Sequence, residues 1–180
     1  MKKIRVVNIV VTTNLEHKLD LEKITSTLSN TQYEPEQFPG LVMRIKEPKT
    51  SALLFSSGKI VCTGAKDIAS AKKAIHKIIE YLKKVDVKIK IEPVLTIQNL
   101  VGAGELSFEL NLNKLAMKLQ NTEYEPEQFP GLVYKIEHPY HASFLLFSNG
   151  KLVCTGTKNE VEMNRCLNQL VKNLKKISKK

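Results

Sequence analysis

The sequence is sparing with the residues that most readily carry chemistry. Its 180 residues include three cysteines and four histidines. The cysteines form no CxxC-like pair of the kind a zinc site uses. Cys62 and Cys154 lie inside strand-like runs and Cys166 in a helical pattern, and they read as small buried side chains of a reducing compartment. His17, His76, His138 and His141 show no ligand spacing, so neither a metal nor a cofactor is expected. No run approaches the ~18 apolar residues of a membrane span. Met1-Lys-Lys passes straight into Ile4-Arg-Val-Val without the apolar core of a secretory leader, so a cytoplasmic place away from membranes is expected.

What is present in excess is positive charge. Lysine and arginine number 28 against 18 acidic residues, a formal charge of +10. That balance favours a polyanionic partner, either nucleic acid or an anionic membrane face. Hydrophobic residues at 42% and charged residues at 26% are values of a globular chain, and the length suits one ordinary domain or two small ones.

One stretch occurs twice. NTQYEPEQFPGLVMRIK runs from Asn30 to Lys46 and NTEYEPEQFPGLVYKIE from Asn121 to Glu137, with thirteen of seventeen positions identical at an offset of 91. ALLFSSGKIVCTGAK (Ala52 to Lys66) is echoed by FLLFSNGKLVCTGTK (Phe144 to Lys158), with eleven of fifteen identical at an offset of 92. The second copy therefore carries one extra residue in the turn between the blocks. Two copies mean a duplicated half, because a solenoid needs at least about three units. The halves fall at 1–91 and 92–180, as parts of one continuous pseudo-two-fold domain.

In chain order, Ile4 to Thr13 is a β-branched strand with Asn8 as its one polar intrusion. Alternation puts Val6, Asn8, Val10 and Thr12 on one face and Val7, Ile9 and Val11 on the core face. Val94 to Val101 is its counterpart, with Asn99 matching Asn8. Asp20 and Asn111 cap short helices with stripes Leu21, Ile24, Leu28 and Leu112, Leu115, Leu119. Brief strands are expected at Tyr33 and Tyr124, followed by EPEQFPG loops that Pro and Gly keep irregular. Strands follow at Leu41–Lys46, Ser51–Ser56 and Lys59–Thr63, the last two joined at Ser57-Gly58 and the last closed by Gly64. Asp67 then caps a long helix with Ile68, Ala71, Ile75, Ile78, Ile79 and Leu82 inward. Asn159 begins its counterpart, with Val161, Leu167, Leu170, Val171 and Leu174 inward. The pattern is α+β: two tandem repeats forming one long curved antiparallel sheet with four helices behind it.

In Lys59-Ile-Val-Cys-Thr63, Ile60 and Cys62 turn to the helices, so Val61 and Thr63 face away with Val10 and Thr12. The second copy adds Val101, Val153 and Thr155. The resulting helix-free face carries valines, threonines, Asn8, Asn99 and few charges, and a bare apolar face of that kind marks a binding site. A DNA minor groove suits it, since its floor offers acceptor atoms on which A·T and T·A look nearly alike. Asn8 and Asn99 would donate to those acceptors, and Arg44, Lys59, Lys135 and Lys151 would reach phosphates at the margin. Phe38 with Phe55, and Phe129 with Phe147, form two pairs at loop or strand ends, placed as wedges that would kink a duplex twice. No nucleophile–base pair, Gly-rich phosphate loop or carboxylate pair lies on this face, so no catalytic residues and no enzyme are expected. The alternatives are an α+β ligand-binding module and a single-strand nucleic-acid binder stacking bases on the four phenylalanines.

Val7–Leu15, Tyr33–Pro48, the two ALLFSSGKIVCTGAK-like blocks, Ile97–Leu106 and YEPEQFPGLVYKI together resemble the conserved core of the TATA-box-binding protein family, nearly end to end. The resemblance implies a saddle-shaped sheet with four helices on its convex face, binding double-stranded promoter DNA. Phe38, Phe55, Phe129 and Phe147 would be the intercalating wedges, a device of which this family is itself a standard example. Asn8 and Asn99 fall on the family's central asparagines. Val10, Val61, Val101, Val153, Thr12, Thr63 and Thr155 fall on its groove-contacting positions, where Ala103 replaces a hydroxyl residue. Glu125 and Glu127 fall on the loop that contacts the B-class initiation factor, which brings RNA polymerase. The near-identical EPEQFPG loops and the lack of a long N-terminal extension resemble the archaeal branch. That implies a nucleoid-associated cytoplasmic protein, nuclear only in a eukaryote. The Lys-rich tail from Lys172 to Lys180 departs from the acidic tail of many archaeal members, leaving phosphate attraction and disorder both open. A bare apolar saddle leaves a homodimer without DNA open as well.

Overall fold

The structure is a computed structural model describing residues 4–178. The leader expectation at Met1–Lys3 and the last two lysines of the tail lie outside them. Among the described residues the first repeat forms β1 (Arg5–Asn14), α1 (Leu21–Thr27), β2 (Thr31–Gln32), β3 (Leu41–Ile45), β4 (Thr50–Leu54), β5 (Lys59–Ala65) and α2 (Ile68–Lys83). The second forms β6 (Thr96–Glu105), α3 (Leu112–Lys118), β7 (Thr122–Glu123), β8 (Leu132–Ile136), β9 (Ala142–Leu146), β10 (Lys151–Thr157) and α4 (Glu160–Ser178). All ten strands join one antiparallel sheet in the order β2-β3-β4-β5-β1-β6-β10-β9-β8-β7.

Each helix begins where a short polar side chain satisfies an orphan backbone donor. The Asp20 carboxylate accepts from the Lys23 N–H at 3.1 Å and Asp67 from Ser70 at 2.7 Å. Asn111 Oδ1 accepts from Lys114 at 3.0 Å and Asn159 Oδ1 from Glu162 at 2.9 Å. The Lys-rich tail is helical as far as Ser178.

Two compact units divide the chain. One is Asn8–Gln98 and the other is 4–7 with 99–178, so β1 and β6 each serve both. In Asn8–Gln98, alternation buries Leu41, Met43, Ala52, Leu54, Ile60 and Cys62, and α2, with Ala71, Ala74, Ile75, Ile78 and Leu82 buried, contacts β3 and β5. In the other unit Leu132, Phe144, Leu146, Leu152 and Cys154 pack with Met163, Cys166, Leu167, Leu170 and Leu174 of α4. Each fully buried aliphatic side chain contributes about 1.5–3 kcal/mol, so each inward face holds the long helix of its own unit against its strands.

Four expectations need correction. Val6 packs against the core cluster that includes Leu106, Tyr134 and Phe144 and does not share a face with Asn8 and Val10, while Val7, expected on the core face, is only half-buried. Ile4 is buried, then Ile9, Val11 and Thr13, so the alternation slips by one where β1 passes from one unit to the other. Ile68 is 39% exposed and Val161 61%, because the first turn of each long helix lies clear of the sheet; Ala74, Met163 and Cys166 are inward instead. β5 does not close at Gly64 but runs through a bulge to Ala65. The brief strands lie at Thr31–Gln32 and Thr122–Glu123, just before the two tyrosines.

Candidate nucleic-acid interface

The bulge in β5 builds the central feature of the Asn8–Gln98 unit. Ile9 stands opposite Ala65 and Val11 opposite Cys62, so β5 carries one residue more than β1 there. Gly64 absorbs it at φ +103, a left-handed conformation that a side chain disfavours. Its freed N–H donates to Asn8 Oδ1 at 2.7 Å, and Asn8 Nδ2 donates to Thr63 Oγ1 at 3.1 Å. The other unit repeats the knot. Gly156, at φ +100, donates to Asn99 Oδ1 at 2.8 Å, and Asn99 Nδ2 donates to Thr155 Oγ1 at 2.9 Å.

This knot fixes the polarity of the asparagine. A backbone N–H can only donate, so Oδ1 must be the atom facing it, and the amide cannot be flipped. The remaining amide hydrogen is left to donate outward, while the threonine O–H turns back to the same Oδ1, at 3.4 Å from Thr63 and 3.3 Å from Thr155. A surface built this way recognises acceptors and repels donors.

Register extends each knot into a row. Thr63 stands opposite Ser51 and Ser51 opposite Arg44; in the other unit Thr155 stands opposite Ser143 and Ser143 opposite Lys135. A second row is apolar apart from the Thr12 hydroxyl: Thr12, Val61, Leu53, Val42 in one unit and Ala103, Val153, Leu145, Val133 in the other. Val10, Val101 and the valines and leucines of these rows are half-buried, while the alternate residues of β3, β4 and β5 are buried, with β3 and β5 against α2. Val42, Ser51, Leu53, Val133, Ser143 and Leu145 were missed from sequence. Period-2 alternation carried through β3 and β4 would have found them, but Leu53-Leu54-Phe55 and Leu145-Leu146-Phe147 hide the parity until the register is known.

Each apolar row leads toward a phenylalanine pair. Phe38 and Phe55 meet edge to face at 6.0 Å between centroids and 68° between planes; Phe129 and Phe147 do so at 6.1 Å and 68°. Phe38 is 44% exposed and Phe129 47%, while their partners are half-buried. The EPEQF segments fold as turns in which the Phe38 N–H donates to the Glu34 carbonyl, and that of Phe129 to the Glu125 carbonyl, each at 3.0 Å. Beneath each pair lies a glycine. A Cβ on Gly40 would meet the Phe38 ring at 2.7 Å, and one on Gly131 the Phe129 ring at 2.8 Å and Leu145 at 2.9 Å. The rings are therefore seated on bare backbone.

Cations line the margins. Arg44, Lys46 and Lys49 border a groove of about 640 Å³ with Thr63 and Gly64. Arg5 and Lys151 border another, of about 610 Å³, with Ala103, Phe147 and Val153. Lys59 is exposed. Lys135 sits 3.7 Å from Glu123, an exposed pair that costs at most about 1 kcal/mol to give up for a phosphate. Glu125 and Glu127 are exposed on their turn, as are Glu34 and Glu36 on the other. Among the described residues no group of three or more His, Cys, Asp or Glu could hold a metal ion.

The profile of the family described as transcription factor TFIID, or TATA-binding protein, matches residues 3–85 and again 94–177. A TATA-box-binding protein of Picrophilus torridus is 49% identical over 98% of this chain and 97% of its own. That of Pyrococcus abyssi is 46% identical over 97% of this chain and 91% of its own. The solved structure of the Methanococcus jannaschii protein of this family superposes with a TM-score of 0.89 at 45% identity, covering 97% of this chain and 99% of that one.

Proposed function

We propose a function that starts from kinship: this chain belongs to the TATA-binding protein family, and we infer that it is a general transcription initiation factor that binds A·T-rich TATA-type promoter DNA through the minor groove. The observation that carries the reading is the pair of asparagine knots, each locked as an outward donor on an apolar sheet face. The minor groove of A·T pairs offers only acceptors, adenine N3 and thymine O2, whereas a G·C pair adds the guanine amino donor. Donor knots accept the first and collide with the second. Valine and leucine rows lie on the sugars, and Arg44, Lys59, Lys135 and Lys151 hold phosphates.

The two phenylalanine pairs enter base steps and bend the duplex, the device for which this family is itself a standard example. A B-class initiation factor docks on Glu125 and Glu127, and RNA polymerase follows it. Without DNA, the same open face pairs two copies of the chain. The setting is an archaeal cytoplasm, on the nucleoid, and no catalytic step is involved. The test is a gel shift with an A·T-rich duplex, a G·C-substituted duplex and single-stranded competitors. The A·T duplex is expected to shift at concentrations at least about tenfold lower than the G·C duplex. Equal shifts, or efficient displacement by single strands, would overturn the reading.

A further inference from the structure

The two open faces differ at one polar contact. In the Asn8–Gln98 unit the exposed Gln98 donates through Nε2 to Thr12 Oγ1 at 2.9 Å, at the head of the row Thr12, Val61, Leu53, Val42. The equivalent positions in the other repeat, 91 residues away in each direction, are Val7 and Ala103, neither of which has a hydrogen-bonding side chain. The asparagine knots are therefore duplicated, but the glutamine pair is not.

Gln98 is tethered differently from the asparagines. Asn8 faces a backbone N–H and is held as a donor. Gln98 faces a hydroxyl, which both gives and accepts, so its amide holds that bond in either orientation. Its outward atom is then a donor toward adenine or thymine, or an acceptor toward the amino group of guanine, the one donor on a minor-groove floor. We infer that Gln98 is a specificity-determining residue that admits a G·C pair at one position under the Asn8–Gln98 unit, and so sets the orientation of the chain on an asymmetric site. The inference rests on the minor-groove reading above. Where Val7 and Ala103 stand, the guanine amino group meets only hydrocarbon and loses its hydrogen bond to water, so G·C is rejected there.

The experiment uses A·T duplexes that each carry a single G·C pair at a successive position. Orientation is read by strand cleavage from an iron chelate tethered to Ser56→Cys or Ser148→Cys, both exposed positions on different units. One position on the Ser56 side is expected to accept G·C within about threefold of the all-A·T affinity, while its counterpart on the Ser148 side loses about tenfold or more. Gln98→Val, which installs the side chain already present at the equivalent Val7, is expected to remove the tolerance. Replacing that guanine by inosine, which lacks the amino group, is expected to restore binding of the variant. Tolerance that survives Gln98→Val, or that falls equally on both sides, overturns the inference. Failure to bind the all-A·T duplex would instead overturn the minor-groove reading itself.

Discussion

Asn8 and Asn99 each exchange two hydrogen bonds with a neighbouring Thr-Gly step, and those bonds decide what the side chain shows to a ligand. Asn99→Asp keeps the acceptor that Gly156 needs but turns the outward donor into an oxygen. The folded protein is expected to keep its Tm and to lose about 1–3 kcal/mol of affinity for an A·T duplex, measured by anisotropy titration. As the proposed wedge, Phe129 would act on shape rather than on pairing. Phe129→Ala is expected to reduce the end-to-end energy transfer of a labelled duplex while changing the association rate by less than about threefold, since encounter is set by charge. Gly131→Ala is expected to reduce bending in the same direction, because its Cβ would displace the ring it lies under. Unchanged transfer in Phe129→Ala would remove the wedge role. The asparagines stood out in sequence as polar intrusions in β-branched runs, and Phe38 and Phe129 as aromatics on proline-stiffened loops. Gln98 did not stand out, because its significance comes from Thr12, 86 residues away.

Among the elements, β5 and β10 carry the most. Each presents one face to a long helix and leaves the other open, and each is interrupted by a glycine bulge that makes the asparagine knot. The parity of β5 was readable, because Ile60 and Cys62 alternate cleanly with Val61 and Thr63, whereas that of β4 was hidden by its consecutive leucines and phenylalanine. The slip in β1 at Val6 was not readable either, since nothing local marks where a strand changes the core it serves. β10 ends at Thr157, whose buried hydroxyl has no hydrogen-bond partner among the described residues, where the first repeat has Ala65. Thr157→Val removes a stranded polar group at constant shape, and is expected to stabilise the protein by roughly 1 kcal/mol. For a chain of this size that is a Tm rise of about 2–4 °C by calorimetry. The same strands bury two thiols. Burial pushes Cys62 up from 9.0 to about 11, partly offset by a hydrogen bond to Thr50. Burial, with Cys166 nearby, pushes Cys154 up to about 12. Above pH 9 the unfolded chain releases these protons while the folded chain keeps them. Their contribution to stability is therefore complete below about 9 and is lost as pH rises toward 11–12. Melting scans from pH 8 to 11 are expected to show a shallower decline for the Cys62→Ala, Cys154→Ala double variant than for the parent.

For the molecule as a whole, duplication and charge set the terms. Apart from the Gln98–Thr12 pair, the features that face outward in one unit have counterparts in the other: a donor knot, an apolar row, a phenylalanine pair over a glycine, and cations at the margin. The net charge of +10 draws any nucleic acid, so attraction alone does not distinguish this reading from a general DNA binder. The distinguishing claim is that the sheet reads the floor of the minor groove. It is tested by the dissociation constants of three duplexes of equal length, one A·T, one with inosine·cytosine at every recognised pair, and one with G·C there. Inosine·cytosine keeps the acceptors of an A·T minor groove while showing the major groove of G·C. The inosine duplex is expected to bind within about threefold of A·T, and the G·C duplex at least about tenfold more weakly. An inosine duplex that binds as poorly as G·C would contradict the account.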